Sequence, residues 1–175
     1  FGGAIGRTLD ASVADWSIVA GVKPPPEAPN VLVVLIDDAG FGNTETFGGP
    51  ISTPAMSRVR ENGLTYNRFH VTAVCSPTRA AMLTGRNHHR AGMGSIVEFP
   101  GPFPGYTGAL PRSCAPVPRI LKENGYVTAG FGKWHLTPDQ VQGAAGPFNR
   151  WPQAWGFDHW WGFLSGAAGQ YELVI

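Results

Sequence analysis

Three short blocks of this 175-residue sequence carry side chains able to do chemistry together: Asp37 and Asp38, Cys75 and Arg79, Lys133 and His135. Cys75 opens the run Cys75-Ser76-Pro77-Thr78-Arg79, which continues to Leu83-Thr84-Gly85-Arg86 and reads as the start of a helix. Ser76 suits the N-cap and Pro77 the first helical position, where its missing N–H costs nothing. Gly85 suits the C-terminal stop. On this reading Cys75 lies just before the helix and Arg79 falls in its first turn, beside unpaired N–H groups and the positive end of the helix dipole. Such a place favours an anion. For a lone cysteine the plainer reading is a buried packing residue, so the other blocks must decide.

Asp37 and Asp38 follow the aliphatic run Val31–Ile36. Two adjacent carboxylates at the end of a buried strand are costly unless paired or bound to a cation. As hard oxygen donors they would select calcium or magnesium over zinc, with a helix cap plus a solvated aspartate as the even alternative. Gly40 and Gly42 allow a turn here, but no third glycine follows at the offset of a dinucleotide fingerprint. Lys133 and His135 would project to the same side of an extended segment. Gly132-Lys133 is not a phosphate-binding P-loop, because Val127 stands where its first glycine should be. Taken alone, a surface lysine and a core-edge histidine would be the simpler account. The adjacent His88 and His89 are expected to be solvated loop histidines.

The elements that must position these groups alternate. Residues 1–29 form an extended lead-in that ends in Pro24-Pro25-Pro26, a polyproline II signal. Asn30–Ile36 has the unbroken aliphatic pattern of a parallel strand buried on both faces. Thr53-Pro54 opens a helix through Arg60, stopped by Asn62-Gly63. Leu64–Val74 is expected to be extended and 86–116 loop-like. Val117, Ile120 and Leu121 mark one face of a helix stopped by Asn124-Gly125, and Tyr126–Phe131 is a further strand. Five of the six tryptophans fall between Trp134 and Trp161 and are expected to pack in the core and at its rim. Tyr171–Ile175 reads as another strand.

This alternation predicts an α/β fold, a mostly parallel sheet flanked by helices. Ligands in such sheets sit beyond the carboxyl ends of the strands. All three blocks fall at or just after predicted strand ends. Carboxylates for a divalent cation, a candidate nucleophile and cationic or proton-transferring groups would then converge, as hydrolysis of an anionic ester requires.

Composition narrows the class. A net charge of +1 gives no nucleic-acid surface or polybasic membrane patch. The longest aliphatic run is far too short to span a bilayer, so no transmembrane segment is expected. Two cysteines, Cys75 and Cys114, make neither a disulfide framework nor a zinc motif. The absence of a Cys-x-x-Cys pair makes a redox role the weakest option. No signal peptide is visible, so a cytoplasmic location is expected, with a periplasmic or secreted one as the alternative.

From about Ala28 onward the sequence resembles the N-terminal catalytic region of the sulfatase family, arylsulfatases in particular. Cys75-Ser76-Pro77-Thr78-Arg79 with Leu83-Thr84-Gly85-Arg86 is similar to the family's formylglycine signature. Gly125 to His135 is similar to its second signature, and Asp37-Asp38 to its calcium-binding pair. The resemblance implies an alkaline-phosphatase-like fold, with residues 30–175 the N-terminal part of a catalytic domain truncated on its C-terminal side. It implies that Cys75 is oxidised to formylglycine by a formylglycine-generating enzyme, and that one hydroxyl of the aldehyde hydrate attacks the sulfur of a small-molecule sulfate ester. The second hydroxyl would then lose its proton as the aldehyde re-forms and sulfate leaves. Asp37 and Asp38, with the hydrate at position 75, would hold one calcium ion. Arg79 would steady the hydrate, Lys133 would bind a sulfate oxygen and His135 would handle protons on the hydrate. The family's Asp-Asn calcium pair and its later His and Lys have no counterpart in these 175 residues, since no aspartate is followed by Asn. The chain alone is therefore expected to bind calcium weakly and turn over little. A phosphonate or phosphate ester hydrolase using the same nucleophile, or a non-catalytic domain of the same fold, are the alternatives.

Overall fold

Proline and glycine punctuate the chain strongly enough to set its helices. In the computed structural model, which describes residues 1–18, 20–169 and 171, α1 spans Pro54–Glu61 with Thr53 at its N-cap and Pro54 in its first turn. Helix α2 spans Cys75–Thr84 and ends at Gly85, whose φ of 64° is the left-handed cap that glycine adopts without a Cβ penalty. Helix α3 spans Val117–Glu123 and stops at Asn124, as its Asn-Gly signal predicts.

Two details of the helices differ from expectation. Val74 is the N-cap of α2 and contributes no side-chain bond, so Cys75 is itself the first helical residue and Ser76 lies inside the turn. Pro77 fits because the first N–H groups of a helix have no intrahelical acceptor to lose. In α3, Val117 and Ile120 are exposed, and Pro118 is the residue turned into the core.

Strands β1 (Ala129–Lys133) and β2 (His159–Phe163) pair in parallel, with Ala129 opposite His159 and Lys133 opposite Phe163. Thr128 and Asp158 lock the start of this pairing. The Thr128 N–H donates to Asp158 Oδ2 at 2.9 Å, and the Asp158 N–H returns a bond to the Thr128 carbonyl at 2.9 Å. Lys122 Nζ, at the end of α3, reaches Asp158 Oδ1 at 2.6 Å and ties the helix to the sheet. The expected strand at Tyr126–Phe131 is thus displaced toward the C-terminus, leaving Val127 exposed and Lys133 as the last strand residue.

The expected strand at Asn30–Ile36 is not formed. These residues are irregular, and their aliphatic side chains from Val31 to Ile36 are exposed. A strand needs a hydrogen-bonded neighbour, and among the described residues the two-stranded β1–β2 sheet offers this segment none. Leu64–Val74 is likewise unpaired, with Tyr66, Phe69 and Val71 exposed. The expected strand at 171–175 lies outside the described residues, apart from Tyr171.

Residues 86–116 have no regular element, yet they build much of the core. Ala91, Met93, Val97, Leu110 and Cys114 are buried with Ala80 and Leu83 of α2 and with Trp134, Leu136 and Trp155. Trp134 packs edge-on against Phe157 and Trp160, at ring separations of 5.8 and 5.7 Å. Trp161 instead faces outward. His88 Nδ1 bonds the Met93 carbonyl at 2.9 Å and His89 Nε2 meets the Tyr106 hydroxyl at 3.1 Å, so the histidine pair secures this loop. Among the described residues no helix is long and apolar enough to cross a membrane.

Candidate active site

Helix α2 begins where the chain from Thr72 is braced from within. The Thr72 and Thr78 hydroxyls lie 2.6 Å apart, and each reaches the Val74 carbonyl at 2.9 Å. This bracing sets Cys75 at the first helical position, half-buried, where the helix start is free of any capping side chain. Ser76 Oγ and Arg79 Nε, both in the first turns, are buried polar atoms without a partner among the described residues. Unsatisfied donors gathered at a helix N-terminus are a setting for an anion.

The three blocks do converge. Strand β1 delivers Lys133, whose Nζ lies 2.8 Å from Asp37 Oδ2. Arg79, 8% exposed, reaches Asp37 Oδ1 at 3.2 Å through one terminal nitrogen and the Lys133 carbonyl through the other. One carboxylate therefore stands between two largely buried cations. Burial opposes ionisation of Asp37, but its bonds to Lys133 and Arg79 outweigh that cost and hold the carboxyl below its ordinary 3.8.

Just beyond the end of β1 the backbone turns sharply. His135 has φ 56°, a left-handed conformation uncommon outside glycine. Its N–H is held by the Leu164 carbonyl at 3.0 Å. The turn carries the imidazole, 3% exposed, to Cys75: Nδ1 lies 3.0 Å from Sγ. Burial pushes His135 below its ordinary 6.5, with Glu98 pulling upward and Lys133 and Arg79 pushing further down. Burial thus favours the neutral ring, in which one nitrogen donates and the other accepts.

Glu98, from the irregular 86–116 segment, completes the cluster. Its carboxylate oxygens lie 2.7 and 2.9 Å from His135 Nε2. No motif, periodicity or turn signal marks this residue, so nothing in the sequence pointed to it. Asp38, with φ 53°, lines the same cavity of about 610 Å3 as Asp37, Cys75 and Arg79, together with Phe41, Phe69 and Val74. Asp37 and Asp38 furnish two hard carboxylates on that cavity, a donor type suited to calcium or magnesium. They supply part of the six to eight oxygens that calcium takes. Among the described residues no group of three or more His, Cys, Asp or Glu side chains is arranged to hold a metal ion. The two carboxylates are of a type that would suit such an ion, though here the two oxygens of Asp37 are held by Arg79 and Lys133.

The Sulfatase family profile matches residues 29–172. The sequence is 37% identical over 152 residues to an uncharacterized sulfatase of Schizosaccharomyces pombe, covering 82% of this chain and 26% of that protein. It is 35% identical over 159 residues to human N-acetylgalactosamine-6-sulfatase, covering 87% of this chain and 28% of that one. With an arylsulfatase of Klebsiella aerogenes it shares 31% identity over 151 residues, covering 85% of this chain and 31% of that protein. The crystal structure of Ps i-CgsB superposes with a TM-score of 0.63 at 29% identity, over 76% of this chain and 27% of that one. The chain thus spans between a quarter and a third of the length of these relatives. With an α/β fold shared with a solved relative and a family match that runs through Asp37, Cys75 and His135, the chain belongs to the sulfatase family.

Proposed function

We propose that the protein carrying this chain hydrolyses sulfate esters, releasing an alcohol or phenol and inorganic sulfate. The observation that supports it most is the set of contacts made at one helix start: His135 against Cys75, and Arg79 and Lys133 on the shared carboxylate of Asp37, with Asp37, Cys75 and Arg79 lining one cavity. Oxidised to formylglycine by a maturation enzyme, position 75 supplies a hydrated aldehyde as the nucleophile, and Cys75 Sγ marks where the reacting oxygen stands. Asp37 and Asp38 would hold part of the shell of a calcium ion, which when bound would supply Lewis-acid polarisation.

The chain's own residues do the rest. Arg79 and Lys133 bring two positive charges to the Asp37 carboxylate beside position 75, a setting in which a sulfate oxygen can be bound. Both are largely desolvated, so their attraction for developing negative charge is stronger than in water. His135 Nδ1, 3.0 Å from the γ atom of residue 75, is in reach to take and return the proton of a hydroxyl there. An aryl leaving group fits the apolar flank made by Phe41, Phe69 and Val74.

The test is chemical. The full-length protein, produced alongside a formylglycine-generating enzyme, is digested and the peptide containing Cys75 is weighed. The aldehyde form is expected there, together with turnover of 4-nitrophenyl sulfate that Cys75→Ala abolishes. A thiol left unaltered under those conditions, with no turnover, would refute the proposal.

A further inference from the structure

His135 is held on two sides, and only one of them faces the reacting position. Its Nδ1 points at Cys75 Sγ, 3.0 Å away, while its Nε2 lies 2.7 and 2.9 Å from the two oxygens of Glu98. An ionised carboxylate can only accept hydrogen bonds, and a neutral imidazole carries one N–H. The proton therefore sits on Nε2, and the lone pair is left on Nδ1, toward residue 75. A third wall restrains the same pair: a Cβ added at Gly166 would stand 2.8 Å from His135 Cε1 and Nε2 and 3.1 Å from Glu98 Oε1. Such close backbone packing leaves the imidazole little room to flip or rotate. The left-handed backbone at His135, bonded to Leu164, fixes the other end of the side chain.

We propose that Glu98 is a positioning residue for sulfate-ester hydrolysis: by accepting Nε2–H it fixes the ring and tautomer of His135, so that Nδ1 is the acceptor presented to residue 75. Among the described residues Glu98 bonds neither Cys75 nor the Asp37–Arg79–Lys133 group, so its effect on position 75 runs through His135. The inference rests on the sulfatase activity proposed above for its kinetic consequence, but its structural content does not.

The experiment uses the full-length protein after maturation, with Glu98→Ala and Glu98→Gln. Loss of the carboxylate that orients a histidine is taken to cost roughly 10- to 100-fold in activity, the scale seen when the orienting partner of a metal-bound histidine is removed. The expected result is a drop of that size in kcat for Glu98→Ala, with KM held within about twofold. Glu98→Gln retains most of the activity, because its amide oxygen can accept the same Nε2–H. In parallel, ring-nitrogen NMR of histidine-labelled protein reads the His135 tautomer, assigned by its loss in His135→Gln. The Nε2–H form is expected in the parent and in Glu98→Gln, and a mixture or the Nδ1–H form in Glu98→Ala. Full activity in Glu98→Ala, or equal losses in both variants with the tautomer unchanged, would overturn the proposal. Should the parent hydrolyse no sulfate ester, the activity proposal falls, and the tautomer pattern still decides the assignment of Glu98. A pattern lost in Glu98→Ala and kept in Glu98→Gln upholds it; one unchanged in both overturns it.

Discussion

Asp37 is the keystone of the charge cluster, and replacing it with asparagine tests the cluster directly. The carboxylate faces Lys133 Nζ at 2.8 Å and an Arg79 terminal nitrogen at 3.2 Å, and both cationic side chains are only 10% exposed. Asparagine keeps the shape but must turn an NH2 toward one of these cations, and it removes the charge that offsets both. Hydrogen bonds to charged groups contribute about 1.5–3 kcal/mol each. Asp37 itself is 37% exposed, so solvent screening places both bonds at the lower end, about 3 kcal/mol together. For a chain of this size that corresponds to a fall in Tm of about 6–12 °C. Urea and thermal denaturation of the parent and of Asp37→Asn measure it. Repeating the substitution in a Lys133→Met background isolates one bond, with a coupling energy of about 1–2 kcal/mol expected. A loss below about 0.5 kcal/mol, together with additive single and double variants, would refute the view that one carboxylate holds both cations.

Acid should expose a second charged contact. The hydrogen bond and charge of Lys122, with the Thr128 N–H, lower Asp158 from 3.8 to about 2. A carboxylate depressed by folding adds stability that is fully present above its unfolded value and is lost as the pH falls from there through the folded one. The stability gap between the parent and Asp158→Asn, followed by urea midpoints, should be largest above about pH 4 and close toward pH 2; a gap independent of pH in that range would contradict the contact. Met93 is fully buried in the core formed around residues 86–116, and Met93→Ala should cost about 2–5 kcal/mol by calorimetry or denaturant melts. A cost under about 1 kcal/mol would show that the irregular segment is not packed as described. Chelation of calcium should abolish sulfate-ester turnover by the matured full-length protein, and excess calcium should restore it; turnover indifferent to both would remove Asp37 and Asp38 from the metal's ligands.

Much of the site was legible in the residues, and less of the fold. The helix ends at Asn62, Gly85 and Asn124 are local events: proline at a helix start, and glycine or asparagine at its end, act on the backbone within one turn. The helix start is two residues earlier than its cap signal predicts, because Ser76, a good cap by type, has its hydroxyl buried and unbonded inside the turn. Asn30–Ile36 has every local mark of a buried strand and is exposed, because pairing is a property of two segments and not of one. The core contribution of Ala91, Met93, Val97 and Leu110 escaped notice for a related reason. Irregular chain carries no period, so burial there leaves no pattern to read.

The sequence by itself determined which side chains could act: a cysteine at a helix start, an arginine one turn on, a Lys-x-His block and paired aspartates. Those are matters of residue type and short spacing. Tertiary structure alone decided how they are wired. Asp37 is shared between Arg79 and Lys133, residues 42 and 96 positions away. His135 meets Cys75 across 60 positions and Glu98 across 37. Hydrogen bonds and ion pairs act over about 3 Å, and only the packing of α2, β1 and the 86–116 segment brings such distant residues within that range.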